Sequence, residues 1–314
     1  MNKIRIGHLT TAYHTAFILM GTGWIEKRMG VKPQWNLFAT GPEMIKAFAK
    51  NELDVGYIGL PPTMIGIDQG IPLKCIGGGH MEGTVLTAKD NIKTYEDIGN
   101  VKETLEQLKG KTVGVPSKGS IHDVIMRTLL DEAGLQQAVS VRNFNWADLV
   151  LYAMENDEVQ AAAGTPALAV LACQMLGAKM VFPPKAIWPH TPSYGIVATS
   201  RMIEGSSEIL ERFLALHEEA CNLIRKEPHE TAKIVSEVVG IMDEQFIYQV
   251  YRVSPKYCAS LPPEYTRSTV AFVPVLQKMK YITKALREQD VFHKTIIENI
   301  HDRLPHYDDP LMLA

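Results

Sequence analysis

Apolar and polar positions along this chain follow two periods, and the period changes wherever glycine, proline or a hydroxyl residue interrupts it. Ile4–Leu9 is a short apolar run of strand type, closed by the polar turn Thr10-Thr11-Ala12-Tyr13-His14. A helical period is predicted from about Ala16 to Arg28, then a strand over Val31–Phe38. Thr40-Gly41-Pro42 reads as a helix start, a capping hydroxyl followed by a proline in the first turn, where a missing N–H costs little. Met44, Ile45, Ala47, Phe48 and Ala49 give that helix an apolar face, and Asn51 suits its end. Leu53–Gly59 is an apolar run of parallel-strand type, Leu60-Pro61-Pro62-Thr63 opens a helix to Gln69, and Pro72–Gly79 is the next strand. Val85–Ala88 continues as an extended crossing segment.

The pattern then restarts. A polar connection from Asn91 to Gln107, with one or two helical turns, leads to a strand at Thr112–Pro116, a turn at Ser117–Ser120 and a helix at Ile121–Ala133. Strands are predicted at Ser140–Phe144, Val159–Gly164 and Lys179–Phe182, with helices at Leu149–Asn156 and after Thr165-Pro166. Ser193–Thr199 is an extended segment leading out. Strands alternating with helices imply mostly parallel sheets with right-handed crossovers. From Ser206 the period is helical throughout: a long amphipathic helix to about Lys226, another opened by Pro228, and helices near Asp243–Val253, Glu264–Glu288 and Asp290–Asp302. These divisions predict one lobe from 1–89 with 199–314, and a second from 90–198.

With 314 residues, 46% hydrophobic and 21% charged, the chain has enough material for two real cores. The net charge of −3 and the lack of a lysine or arginine run argue against nucleic acid as a partner. No apolar stretch approaches the roughly 20 residues that span a bilayer. The start, MNKIRIGHLT, is already strand-like and has neither the basic nor the apolar region of a signal peptide. This chain is therefore either cytoplasmic or an exported protein met without its leader. Cys75, Cys173, Cys221 and Cys258 show no CxxC and no zinc-type spacing, so buried thiols are expected and no metal or cofactor is assigned.

Four stretches carry a family resemblance: GPEMIKAFAKNELDVGYIG (Gly41–Gly59), GIPLKCIGG (Gly70–Gly78), LKGKTVGVPSKGS (Leu108–Ser120) and SYGIVATS (Ser193–Ser200). With them the chain resembles the substrate-binding proteins of ABC importers that handle nitrate, aliphatic sulfonates, taurine and thiamin-pyrimidine precursors. The resemblance implies an α/β fold of type II periplasmic-binding-protein class, with two lobes joined by two crossing segments and the helical C-terminal part on the first lobe. It implies a small polar or anionic ligand captured by hinge closure, importer membrane subunits as partners, a monomer, an extracytoplasmic place of work and no catalysis. The same fold also serves cytosolic enzymes of the futalosine menaquinone route, the fungal thiamin-pyrimidine synthase, and ligand sensors. The fungal enzyme's cysteine-rich iron motif is absent here, and no GxSxG, HExxH or GxxxxGK[ST] is present.

Open α/β folds place ligands at the carboxyl ends of their strands. In the first lobe this selects Thr11, Tyr13, His14, Thr40, Gly41, Gly59, Leu60, Pro61, His80 and Glu82. In the second it selects Ser117, Lys118, Gly119, Ser120, Asn145, Trp146, Gly164, Thr165, Trp188 and Tyr194. Ser117–Ser120 is the sharpest, because two hydroxyls, helix-start N–H groups and a lysine suit a carboxylate, sulfonate or phosphate. Its bland alternative is a capping serine beside a solvated lysine. Trp146, Trp188, Tyr13 and Tyr194 offer faces for a flat ligand, against an equally ordinary packing role. His14 and His80 are candidate hydrogen-bond partners, otherwise expected at the surface. Glu82 and Asp148 would suit a cationic group.

Overall fold

The protein, seen here as a computed structural model, is described over residues 2–89, 92–301 and 304–312. It divides into two units, Met1–Met81 with His190–Ala314, and Glu82–Pro189. The first unit holds strands β1 (Lys3–Leu9), β2 (Lys32–Phe38), β3 (Val55–Ile58) and β4 (Leu73–Met81). The second holds β5 (Val85–Ala88), β6 (Thr112–Pro116), β7 (Ser140–Phe144), β8 (Ala161–Gly164) and β9 (Lys179–Met180). The chain then returns to the first sheet as β10 (Pro192–Thr199), so that β5 and β10 each sit one strand beyond the boundaries the sequence pattern predicts.

The two sheets share one plan. Their strand orders are β2-β1-β3-β10-β4 and β7-β6-β8-β5-β9, in which the first three strands are parallel and the fourth runs antiparallel to both neighbours. Four of the five strands in each sheet therefore share one direction, so the expectation of mostly parallel sheets holds, and the single antiparallel strand makes each sheet mixed. An apolar run signals burial on both faces and carries no information on strand direction.

Each sheet is closed by helices that obey the predicted period. In the first unit Ile4, Ile6, Val55, Ile76 and Val197 of the sheet are fully buried, as are Leu210, Phe213, Leu214 and Cys221 of the helix Ser207–Lys226. In the second, Val150, Met154, Val159, Ala162 and Leu168 form the core between the sheet and the helices Ala147–Glu155 and Pro166–Leu176. An ion cluster fastens the first sheet. Asp54, 3% exposed, accepts from the Arg5 backbone N–H at 2.9 Å, from its Nη2 at 2.7 Å, and from Arg201 Nη2 at 2.7 Å. Burial alone would raise this carboxyl, but the Arg5 hydrogen bonds and the two guanidinium charges hold it below the usual range.

Three predicted helices are shorter. The first ends at Thr22, because Gly23 turns left-handed (φ 65°), and a π-helical turn at Ile25–Met29 follows. The long helix expected over 264–288 breaks into Pro263–Val270 and Phe272–Lys278. Pro274 has no N–H to give the Val270 carbonyl, so the ladder stops there. Lys280, with φ 59°, then ends the helical run. Further on, among the described residues, only Glu288–Val291 and Thr295–Glu298 are helical. Asn91 and Asp302, two of the predicted bounds, lie outside the described residues. No helix among the described residues is long and apolar enough to cross a membrane.

Candidate functional site

In the first unit the strand-end residues collect into a buried, neutral cluster of phenols and imidazoles. Tyr13 and His14 follow β1, His80 lies near the end of β4, and Tyr194 comes from β10. Ring centroids lie 4.9 Å apart for Tyr13–His80, 4.0 Å for His14–Tyr194 and 4.6 Å for His80–Tyr257. The Tyr13 hydroxyl is 2.8 Å from Ser193 Oγ. Burial pushes that phenol up to about 12, against the opposing pull of the Ser193 hydrogen bond, so it is neutral.

His14 and His80, candidate hydrogen-bond partners whose alternative is a surface position, are 2% and 0% exposed. His80 Nε2 lies 2.6 Å from the Ser254 carbonyl, which can only accept; this nitrogen therefore carries the proton. Nδ1 of His80 is then a bare acceptor, and it has no partner among the described residues. Thr11 Oγ1, His14 Nδ1, Tyr251 Oη and Tyr257 Oη are likewise buried without one. Buried polar atoms are nearly always satisfied, so such a concentration marks a place for water or ligand. Burial lowers His80 to about 4 and His14 well below the ordinary value, which keeps both uncharged at neutral pH.

Other predicted residues of this unit serve the scaffold. Thr40 caps the helix Gly41–Ala49 by accepting from the Glu43 N–H at 3.4 Å. A Cβ on Gly41 would meet Pro62 at 2.8 Å. Gly59 precedes the helix Leu60–Asp68, and Leu60 and Pro61 are buried in its first turn. Tyr13 and Tyr194, at 2% and 1% exposure, pack within the cluster and present little open ring face.

In the second unit the turn after β6 resolves into two parts. Ser120 accepts from the Asp123 N–H at 3.2 Å and so caps the helix Ile121–Glu132. Gly119, held at φ 79° where glycine is favoured, donates its N–H to Asp123 Oδ2 at 2.9 Å. Asp123 is in turn gripped by Arg127 Nε at 2.7 Å and Asn143 Nδ2 at 2.9 Å. The backbone donor expected for an anion is therefore already spent on Asp123. Ser117 Oγ is buried without a partner among the described residues, and Lys118 beside it in the chain is exposed. Substituting Ser120→Ala should cost about 1 kcal/mol of stability through the lost cap. Urea unfolding measures this, and an unchanged midpoint would remove the capping role.

Asn145 and Trp146 follow β7 and are exposed, Trp146 at 41%, so of the four aromatic candidates it offers the most open face. Asp148 is exposed in the first turn of the next helix. Thr165 caps its helix from the Leu168 N–H at 3.2 Å, and a Cβ on Gly164 would meet Leu168 at 2.5 Å. Trp188 is half-buried at the end of the short helix Pro184–Ile187. Glu82 is buried with φ 59°, an uncommon conformation for its type.

Sequence reasoning missed Ser193, His217, Tyr257 and the pair Thr84–His122. His217 donates from Nε2 to the Gly78 carbonyl at 2.9 Å and accepts at Nδ1 from the Thr15 hydroxyl at 2.7 Å. Its one local signal is a polar residue on the apolar stripe Leu210, Leu214, Cys221. Thr84 Oγ1 and His122 Nδ1 meet at 3.0 Å across 38 residues, a pairing no local pattern reveals.

The NMT1-like family matches residues 1–240. A candidate aliphatic sulfonates-binding protein of Bacillus subtilis is 23% identical, over 95% of this chain and 88% of its own length. Among solved structures, the alkanesulfonate-binding protein SsuA from Xanthomonas axonopodis pv. citri, bound to MOPS, superposes with a TM-score of 0.79 at 16% identity, covering 94% of this chain and 99% of that one. The periplasmic nitrate-binding protein NrtA from Synechocystis gives 0.74 at 12% identity, covering 96% and 88%. At these identities the structures establish the fold.

Proposed function

The chain belongs to the NMT1-like family, and from that membership we propose that it is the solute-binding component of an ABC importer, taking a small polar or anionic molecule. The supporting relatives are named for binding sulfonates and nitrate. MOPS, held by one of them, is itself a ring-bearing sulfonate. Within this chain the observation that carries the anionic class is the turn after β6. There the Ser117 hydroxyl, buried without a partner among the described residues, adjoins the exposed Lys118 at the carboxyl end of a parallel strand. A hydroxyl donor beside an ammonium suits an anion's oxygens.

Isothermal titration with alkanesulfonates, MOPS, nitrate, carboxylates and pyrimidines tests the class. Tight binding of one anion is expected, and binding of simple cations alone would sink it. Lys118→Ala should weaken that anion by about 1–3 kcal/mol, roughly five- to 150-fold, as a charged hydrogen bond is lost. An unchanged affinity would place Lys118 outside the site. Importer membrane subunits as partners, a monomeric state and work outside the cytoplasmic membrane accompany this proposal. Co-purification with the membrane subunits and light scattering are their tests.

A further inference from the structure

A second constellation lies in the first unit among residues the strand-end loops do not use. Glu218 comes from the helix Ser207–Lys226, Cys258 from the segment beside β4, and His301 from the chain just after Thr295–Glu298. Cys258 Sγ is 3.1 Å from His301 Nε2, and that same nitrogen is 3.6 Å from Glu218 Oε2. All three donor atoms lie within 4.8 Å of one another. Tetrahedral zinc with a sulfur at about 2.3 Å and nitrogen and oxygen at about 2.0–2.2 Å sets its ligand atoms about 3.4–3.6 Å apart. The observed spacing needs adjustments of only tenths of an ångström at the two measured pairs.

The surroundings fit lone pairs converging on a cation better than they fit a hydrogen-bond network. One imidazole nitrogen faces both the sulfur and the carboxylate, and a single N–H cannot point well at two acceptors. The sulfur also receives the backbone N–H groups of Ser260 at 3.4 Å and His306 at 3.3 Å. Glu218 is oriented from outside: Oε2 accepts the Ala259 N–H at 2.6 Å, and Oε1 accepts from Arg225 at 3.0 Å. Outer hydrogen bonds of this sort orient metal ligands. His301 and Ser260 also line a cavity of about 540 Å³ whose wall includes Glu264 and Glu298, and no lysine or arginine among its described lining residues.

We propose that Glu218, Cys258 and His301 bind a zinc-class divalent cation through three protein donors, with a fourth position open to the cavity beside His301. Thiolate, imidazole and carboxylate together select zinc or its close neighbours over magnesium and calcium. The bound ion would tie three segments distant in sequence, and the open position would accept water or a small anion.

Cobalt(II) tests this on the full chain after reduction and chelation. Titration should raise a thiolate-to-cobalt charge-transfer band that saturates at one equivalent and disappears when zinc is added. Cys258→Ser should abolish the band, and Glu218→Gln or His301→Gln should weaken cobalt binding tenfold or more. Zinc should raise the melting temperature of the native chain and leave that of the His301→Gln chain unchanged. A native chain without the band overturns the proposal whatever the variants do. So does a band that survives Cys258→Ser, since another thiol would then be the ligand. If Cys258→Ser does not fold, a band of undiminished affinity in both Glu218→Gln and His301→Gln overturns the three-donor site equally.

Discussion

Lowering the pH from 7 to 4 should strongly destabilise this protein, through its buried histidines. His80 and His217 in the first unit and His122 in the second are each lowered by burial to about 4 from an ordinary 6.5. Hydrogen bonds to the Ser254 and Gly78 carbonyls, and the Glu218 charge near His217, oppose the shift without cancelling it. The nearby Lys256 charge lowers His80 further. Since the folded state resists protonation that the unfolded chain accepts, the unfolded chain binds more protons between these two values. Stability contributed by each neutral histidine is thus complete above about pH 6.5 and is lost as the pH falls towards 4. The loss is roughly 3 kcal/mol per histidine. Two such groups in one unit compete with a total stability of about 5–15 kcal/mol. Urea unfolding at half-unit intervals of pH should show the midpoint falling steadily below pH 6.5. A midpoint that stays level from pH 7 to 4.5 would mean that these imidazoles reach solvent in the folded protein.

Gly78→Ala should be the most damaging small substitution in the first unit. The segment Tyr257–Ala259 runs against the outer edge of β4, with Gly78 donating to the Ala259 carbonyl at 2.7 Å and Cys258 donating to the Gly79 carbonyl at 3.2 Å. A Cβ on Gly78 would lie 2.0 Å from the Tyr307 hydroxyl and 2.5 Å from the Ser260 carbonyl. A tyrosine ring can swing aside, but the Ser260 carbonyl is backbone, so the segment itself must move. That movement also strains the His217 bond to the Gly78 carbonyl and displaces Cys258. A cost of about 3 kcal/mol is expected, the upper end for overpacking. It should appear as a fall of roughly 6–12 °C in melting temperature. Cobalt binding at Cys258 should weaken in parallel. A melting temperature within a degree of native would show that this segment is not packed on β4.

The sequence by itself determined the local elements and the class of molecule. Thr40 is a capping residue in the structure as its position before an apolar period predicts, and Ser120 caps as the alternative to an anion site has it, because a cap depends only on the next three residues. The four resembling stretches also carried the family. The break before Phe272 is not in the predicted elements: Pro274 announces it, but the regular apolar period conceals it. Only the tertiary structure decided strand direction, burial and meeting partners. Nothing local distinguishes β10 running antiparallel between β3 and β4 from another parallel strand. His80 and His217 look like ordinary polar residues until the fold surrounds them, and it is that desolvation which makes them acid-sensitive. The Gly119 N–H of the Ser117–Ser120 turn reads as a donor for an anion until Asp123, braced by Arg127 and Asn143, takes it. Cys258 has no metal-type spacing in the chain, yet Glu218 and His301, 40 and 43 residues away, reach the same point in space. Periodicity and capping act over a turn or two of chain, whereas a site depends on packing between segments distant in sequence, and its electrostatics exist only once water has been excluded.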